Sequence, residues 1–226
     1  MSKPHSATVP GGAAFGGAPV QPDQEWANAL THGLASIAAV LVGGFLLSLV
    51  PAGRVDMTIA VIVYTLAAAG TFVCSTVSHL VRRQPLLDTV RAWDQAMIYL
   101  MIVGTYTPIV VQFAPASYRA ILIAALWLAA GWGFVAKVGR KHRVNSISTV
   151  SYVALSWLPA IALGPTTPRV VAAWMLLGGL VYMAGIVFLL LDQRVKYFHA
   201  AWHLFVMTAS GCHAYGMTHV ILPAAP

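Results

Sequence analysis

Long apolar stretches alternate with short polar connections along nearly the whole chain after its first two dozen residues. A helix needs roughly 20 mainly apolar residues to cross the hydrocarbon core of a bilayer. Stretches of that length recur and are separated by connections rich in proline, glycine or basic residues. They predict seven helices, at residues 26–50, 57–81, 91–113, 117–136, 146–163, 169–191 and 196–222. The pattern therefore predicts an all-α, seven-transmembrane helix bundle.

Composition agrees with this class of protein. The chain is 59% hydrophobic and only 8% charged, whereas about a quarter of the residues of a soluble domain are charged. So few charges cannot cover a surface that faces water, so lipid must cover much of it. Residues 1–24, rich in Gly, Ala and Pro, are expected to form a disordered tail before a single membrane domain over 25–226.

The net charge is +7. The basic residues lie in clusters between the apolar stretches, which is typical of membrane loops and not of a nucleic-acid-binding face. Three basic residues lie in the odd-numbered connections: Arg54, Arg119 and Arg169. Ten lie on the other side: Lys3, Arg82, Arg83, Arg91, Lys137, Arg140, Lys141, Arg143, Arg194 and Lys196. The positive-inside rule therefore predicts a multi-pass plasma (inner) membrane protein with a cytoplasmic N-terminus and an external C-terminus.

Polar side chains are costly inside a bilayer and mark functional sites there. Several of them fall at the predicted cytoplasmic ends of different helices. They are Glu25, Asn28 and His32 on the first helix, His79 on the second, Asp94 on the third, and His199 and His203 on the seventh. Residues far apart in sequence are therefore expected to meet in one layer of the bundle.

The histidines in this layer have a spacing that suits a metal. His199 and His203 are four residues apart, which puts both imidazoles on one helix face. With His79 they would supply three neutral ligands at about 2.0–2.1 Å, leaving the fourth position to water as in a catalytic zinc site. The pair alone is weak evidence for a metal site. The case is stronger because the pair is expected to lie at the same depth in the bundle as His79 and Asp94. Imidazoles also suit other transition metals.

Three further residues have two interpretations each. Asp94, the only acid expected within the bundle at this depth, would be a general base or outer-shell acceptor, or simply a cap of the helix dipole. Ser75, one turn before His79, would position water or a substrate oxygen, or bond to the carbonyl four residues back. His32 would contact the site or lie at the interface.

Five motifs carry a resemblance to a known family. They are EWANALTH at 25–32, CSTVSH at 74–79, DQAMIY at 94–99, GTYTP at 104–108 and HAAWHLFV at 199–206. The chain resembles bacterial hemolysin III proteins, a group within the progestin and adipoQ receptor family. The resemblance implies seven helices, a cytoplasmic N-terminus, and zinc bound by His79, His199 and His203 with Ser75 and Asp94 nearby.

The wider superfamily is similar to alkaline ceramidases, which implies hydrolysis of an amide bond in a membrane lipid. The leading hypothesis is therefore a zinc-dependent lipid hydrolase with Asp94 and Ser75 as catalytic residues. One alternative is a non-enzymatic membrane sensor or homeostasis factor in which zinc only joins helices. Another is a pore-forming cytolysin, although uniformly apolar spans are not typical of pore formers. The long cytoplasmic domain of the animal receptors is missing, so their partners are not carried over, and the oligomeric state stays open.

Overall fold

The computed structural model describes residues 22–140 and 146–222, and these residues form seven α-helices and no strand. The helices are α1 (Pro22–Ser48), α2 (Val55–Leu80), α3 (Leu86–Phe113), α4 (Ala116–Arg140), α5 (Ser146–Leu163), α6 (Arg169–Leu191) and α7 (Phe198–Ile221). The prediction of an all-α polytopic bundle is confirmed.

Two helices, α1 and α3, begin four or more residues earlier than the apolar pattern predicts. The last three residues of the predicted tail form the first turn of α1, because a proline at Pro22 and the acids Asp23 and Glu25 favour a helix start; residues 1–21 lie outside the described chain. Helix α3 begins at Leu86, eight residues before Asp94. The effect of a helix dipole is confined to the first turn, so Asp94 is not a cap of α3.

Helix α1 packs between α2 and α7, and α3 lies against α2, α4, α5 and α7. Two glycines allow close approaches between the helices. A Cβ at Gly104 would lie 2.6 Å from the Cβ of Ala67 on α2, and one at Gly185 would lie 2.7 Å from the Cβ of Phe205 on α7. Small residues at such crossings are a common means of packing membrane helices. The first, second, third and seventh helices therefore meet around one axis.

The apolar core fills the end of the bundle where α1 ends and α2 begins. Leu46, Met57, Val110 and Val220 are all less than 2% exposed there. A smaller cluster around Phe72 and Val206 lies nearer the opposite end. Most of the buried polar residues lie at the start of α1 and α7 and the end of α2, so that end of the bundle holds the site.

The outward faces of the helices are apolar, as a lipid-facing surface requires. Leu41, Leu128 and Trp132 are each more than two-thirds exposed. Five helices, α1 to α4 and α6, are long and apolar enough to cross a membrane by length and composition. Helix α5 is shorter, and α7 has 24 residues but includes four histidines. His203 is buried and His213 lies against α6, and the four histidines lower the mean hydropathy of α7.

Candidate metal centre

The three histidines predicted to meet do so. One ring nitrogen from each of His79, His199 and His203 lies within 4.8 Å of the others. The ring centroids are 4.7 to 5.1 Å apart. His203 is 1% exposed, whereas the side chain of His199 is 26% exposed and forms the open side of the group. The group could therefore hold a metal ion between α2 and α7.

Helix α1 fixes the orientation of His79. The Nδ1 atom of His79 lies 2.5 Å from Oε2 of Glu25, and both side chains are less than a tenth exposed. Arg91 and Arg82 lie 3.6 and 4.0 Å from the other carboxylate oxygen. These cations favour the charged form of Glu25, and a carboxylate only accepts hydrogen bonds. His79 therefore donates from Nδ1.

The other two histidines have partners on the same nitrogen. His199 Nδ1 lies 2.8 Å from Oδ2 of Asp192, which is the C-cap residue of α6. His203 Nδ1 lies 3.2 Å from the carbonyl oxygen of Asn28 and 3.0 Å from Oγ1 of Thr31. A carbonyl can only accept, and the Thr31 hydroxyl lies within donating distance of backbone carbonyls of its own helix. Nδ1 is thus the protonated nitrogen in each ring.

In the neutral form of each ring, a proton on Nδ1 leaves the Nε2 lone pair for a metal. Nε2 of His79 is buried without a hydrogen-bond partner among the described residues, and a buried polar atom without a partner is rare and costly. Histidines that bind metals usually donate their other ring N–H to a carboxylate or carbonyl. Three imidazoles whose ligand nitrogens lie within 4.8 Å of one another, with this second layer of partners, fit a divalent metal ion with an open fourth position.

The connection before α7 is anchored to α1, which places His199. Tyr197 has a φ of 63°, a left-handed conformation that is uncommon for a bulky residue. Its backbone N–H donates to Oε1 of Gln24. Next to it, Lys196 lies 3.0 Å from Asp23, and this hydrogen-bonded carboxylate raises the pKa of the lysine. These contacts hold the start of α7 beside the polar first turns of α1.

The two residues predicted to be catalytic lie near the end of α2. Oδ2 of Asp94, which is half-buried, is 2.9 Å from Oγ of Ser78, the residue before His79. Ser75 is 2% exposed and lies one turn before His79. The hydroxyl of Thr71 bonds to the carbonyl four residues back; among the described residues, Ser75 makes no such bond. The Ser75 hydroxyl is therefore not tied to its own helix, whereas one carboxylate oxygen of Asp94 is held by Ser78.

His32 lies inside the site layer and not at the interface. Its ring stacks on that of His203, with centroids 3.5 Å apart and planes 10° from parallel. A second contact is edge-to-face with Phe72, with centroids 5.1 Å apart. The ring is also close enough to His79 and His199 to interact electrostatically with them. Of its two interpretations, the structure favours contact with the site.

Sequence reasoning gave no role to Glu25 and missed Asp192 altogether. It expected Asp94 to be the only acid within the bundle at this depth, and this was wrong, because Glu25 is 5% and Asp192 6% exposed. The sequence did contain a feature that singles out Asp192, because it is the only acidic residue after Asp94. Its role becomes visible only when the chain turns back from α6 to α7.

The fold and the site together define a multi-pass membrane protein with a buried three-histidine group at one end of its helix bundle. The model of the haemolysin-III related family matches residues 20–214, and the chain belongs to that family. It is 28% identical to Hemolysin-3 of Bacillus cereus over 208 residues, covering 89% of this chain and 94% of that protein. It is 27% identical to the Hemolysin-3 homolog of Bacillus subtilis (strain 168), covering 83% and 89%.

The chain is also similar to an animal protein. It is 27% identical over 196 residues to the human monocyte to macrophage differentiation factor, covering 84% of this chain and 82% of that protein. This likeness supports the placement in the adiponectin receptor-like superfamily that the motifs indicated. The family prediction is therefore confirmed.

Proposed function

We propose that this protein is a zinc-dependent intramembrane hydrolase that cleaves an amide bond in a membrane lipid. The observation that carries the proposal is the group of three imidazoles whose ligand nitrogens lie within 4.8 Å of one another while every Nδ1 has an oxygen partner. Three protein ligands and one open position are typical of catalytic zinc sites, whereas structural sites have four protein ligands. When bound, zinc would supply the Lewis acid that polarises a carbonyl and acidifies water.

The remaining chemistry belongs to side chains of this protein. Asp94 is the proton acceptor, because its carboxylate is half-buried, held at 2.9 Å by Ser78, and lies beside the end of α2 that carries His79. A carboxylate within reach of the reacting water can act as general base and later return the proton to the leaving amine. Ser75, buried one turn before His79, donates a hydrogen bond to the substrate carbonyl oxygen.

Glu25 and Asp192 hold His79 and His199 in place and do not touch the substrate. Such outer partners fix the tautomer of a ligand and raise its basicity. We place the protein in the plasma (inner) membrane with the site on the cytoplasmic side, as the distribution of basic loops indicates.

The proposal is tested by lipid hydrolysis with purified, zinc-loaded protein and a panel of N-acylated lipids. Asp94→Asn should keep stoichiometric zinc and lose at least about a hundredfold in rate, the usual contribution of a general base. Asp88→Asn is the matched control, since this acid lies on the same helix and contacts only Gln84 among the described residues. No turnover of any N-acylated lipid by the wild type refutes the enzyme and favours a structural metal.

A further inference from the structure

His32 is a buried side chain whose polar atoms have no partner among the described residues. It is 4% exposed, and neither Nδ1 nor Nε2 makes a hydrogen bond within the described chain. A neutral imidazole carries one donor and one acceptor, so both hydrogen-bonding capacities of the ring are unused. Most buried side-chain polar atoms are paired, and exceptions require an explanation.

Packing holds this ring in place without using its nitrogens. One contact is the parallel stack on His203 at 3.5 Å, and another is the edge-to-face contact with Phe72. His32 is not a member of the group whose ligand atoms lie within 4.8 Å of one another. The ring is therefore fixed beside the metal centre with its nitrogens unpaired, which suits recognition of a ligand more than metal coordination.

Asn28 adds a third unpaired atom on the same face of α1. It lies four residues before His32, so the two side chains are neighbours on the helix surface. Asn28 is 5% exposed, and its Oδ1 has no hydrogen-bond partner within the described chain. Its backbone carbonyl accepts from Nδ1 of His203, which ties this turn of α1 to the site. Together the two residues offer one unused donor and two unused acceptors.

We propose that His32 and Asn28 form a neutral subsite that binds the amide group of the substrate and selects it against an ester or a carboxylate. This inference rests on the proposed function and deepens it. Two acceptors beside one donor favour a ligand that itself donates a hydrogen bond, as an amide N–H does, whereas an ester has no donor and would leave both acceptors unpaired. A carboxylate would be repelled, because its oxygen lone pairs would face the two acceptor atoms of His32 and Asn28. Sites built to hydrogen-bond a polar group strongly reject analogues that lack it.

The test compares three probes of equal chain length: N-methyloctanamide, methyl octanoate and octanoate. Their binding to zinc-loaded protein in nanodiscs is measured by equilibrium dialysis, with the recovered probe checked for hydrolysis. The wild type should bind the amide at least about tenfold tighter than the ester, a factor typical of one net hydrogen bond. His32→Phe, which keeps a ring in the stack and removes both nitrogens, should abolish this preference and retain stoichiometric zinc.

Two further variants make the test independent of folding defects. Asn28→Leu removes the second acceptor at similar volume and should also reduce the amide preference. Leu34→Phe is the control, because this side chain is on the same helix but 56% exposed to lipid; its amide preference should match the wild type. His32→Phe should also keep the thermal midpoint of the probe-free protein, because it removes polar atoms that have no partner within the described chain.

Loss of zinc or a lower thermal midpoint in His32→Phe would overturn the inference, since His32 would then be a structural or ligating residue. An unchanged amide preference in both variants would overturn it as well. An amide preference that depends on His32 in a protein with no hydrolytic activity refutes the proposed function and leaves the subsite standing. Conversely, if the protein hydrolyses N-acylated lipids but its amide preference is unchanged in His32→Phe, the proposed function stands and the subsite is refuted.

Discussion

The replacement Glu25→Gln tests how the second layer of partners supports the metal centre. It removes one negative charge at an atom 2.5 Å from Nδ1 of His79, in a pair that is less than a tenth exposed on both sides. Losing such a partner typically reduces metal affinity 10- to 100-fold, or about 1.4–2.7 kcal/mol. The amide introduced by the replacement would still offer a carbonyl oxygen to His79, so we expect about a tenfold loss, at the lower end of that range.

The assay is zinc competition against a chromophoric chelator, with purified protein in nanodiscs. Asp88→Asn is the matched control, because this acid on α3 hydrogen-bonds only to Gln84 among the described residues and has no part in holding the histidines. That variant should bind zinc like the wild type. Equal affinity of both variants would show that Glu25 does not orient a metal ligand, and the reasoning from the Nδ1 partners would fail.

Three further predictions concern other parts of the molecule. Asp192→Asn should weaken zinc binding about tenfold in the same competition assay, because it alters the partner of His199. Gly104→Ala should lower the stability to thermal unfolding by about 1–3 kcal/mol through its clash with Ala67, whereas Gly44→Ala, with open space around it, should not. Alkaline phosphatase fused to the C-terminus should be active in intact bacteria; an inactive, well-expressed fusion would contradict the predicted orientation.

The helices and the three histidines were predictable because both depend on short-range regularities. A run of about 20 apolar residues defines a span regardless of its neighbours, and the four-residue spacing of His199 and His203 fixes their common face. The level of His79 follows from the alternating direction of the helices. These features need only the order of the chain, so they were correctly derived from the sequence.

The partners of the histidines were not predictable in the same way. Pairing of Glu25 with His79 depends on the rotation of α1 about its axis, and pairing of Asp192 with His199 depends on the turn that Tyr197 makes before α7. The spacing of apolar residues along the chain determines neither the rotation of α1 nor the turn before α7. The stack of His32 on His203 likewise depends on how closely α1 and α7 approach. Side-chain contacts between distant helices require coordinates.

The most direct test of the account is the metal content of purified protein, measured by mass spectrometry for the wild type and single variants. The wild type should carry about one zinc per chain, and His79→Ala and His203→Ala should carry almost none. His219→Ala, at the opposite end of α7, should keep the full amount. Stoichiometric zinc in His79→Ala, or a loss of zinc in His219→Ala, would contradict the assignment of the metal centre.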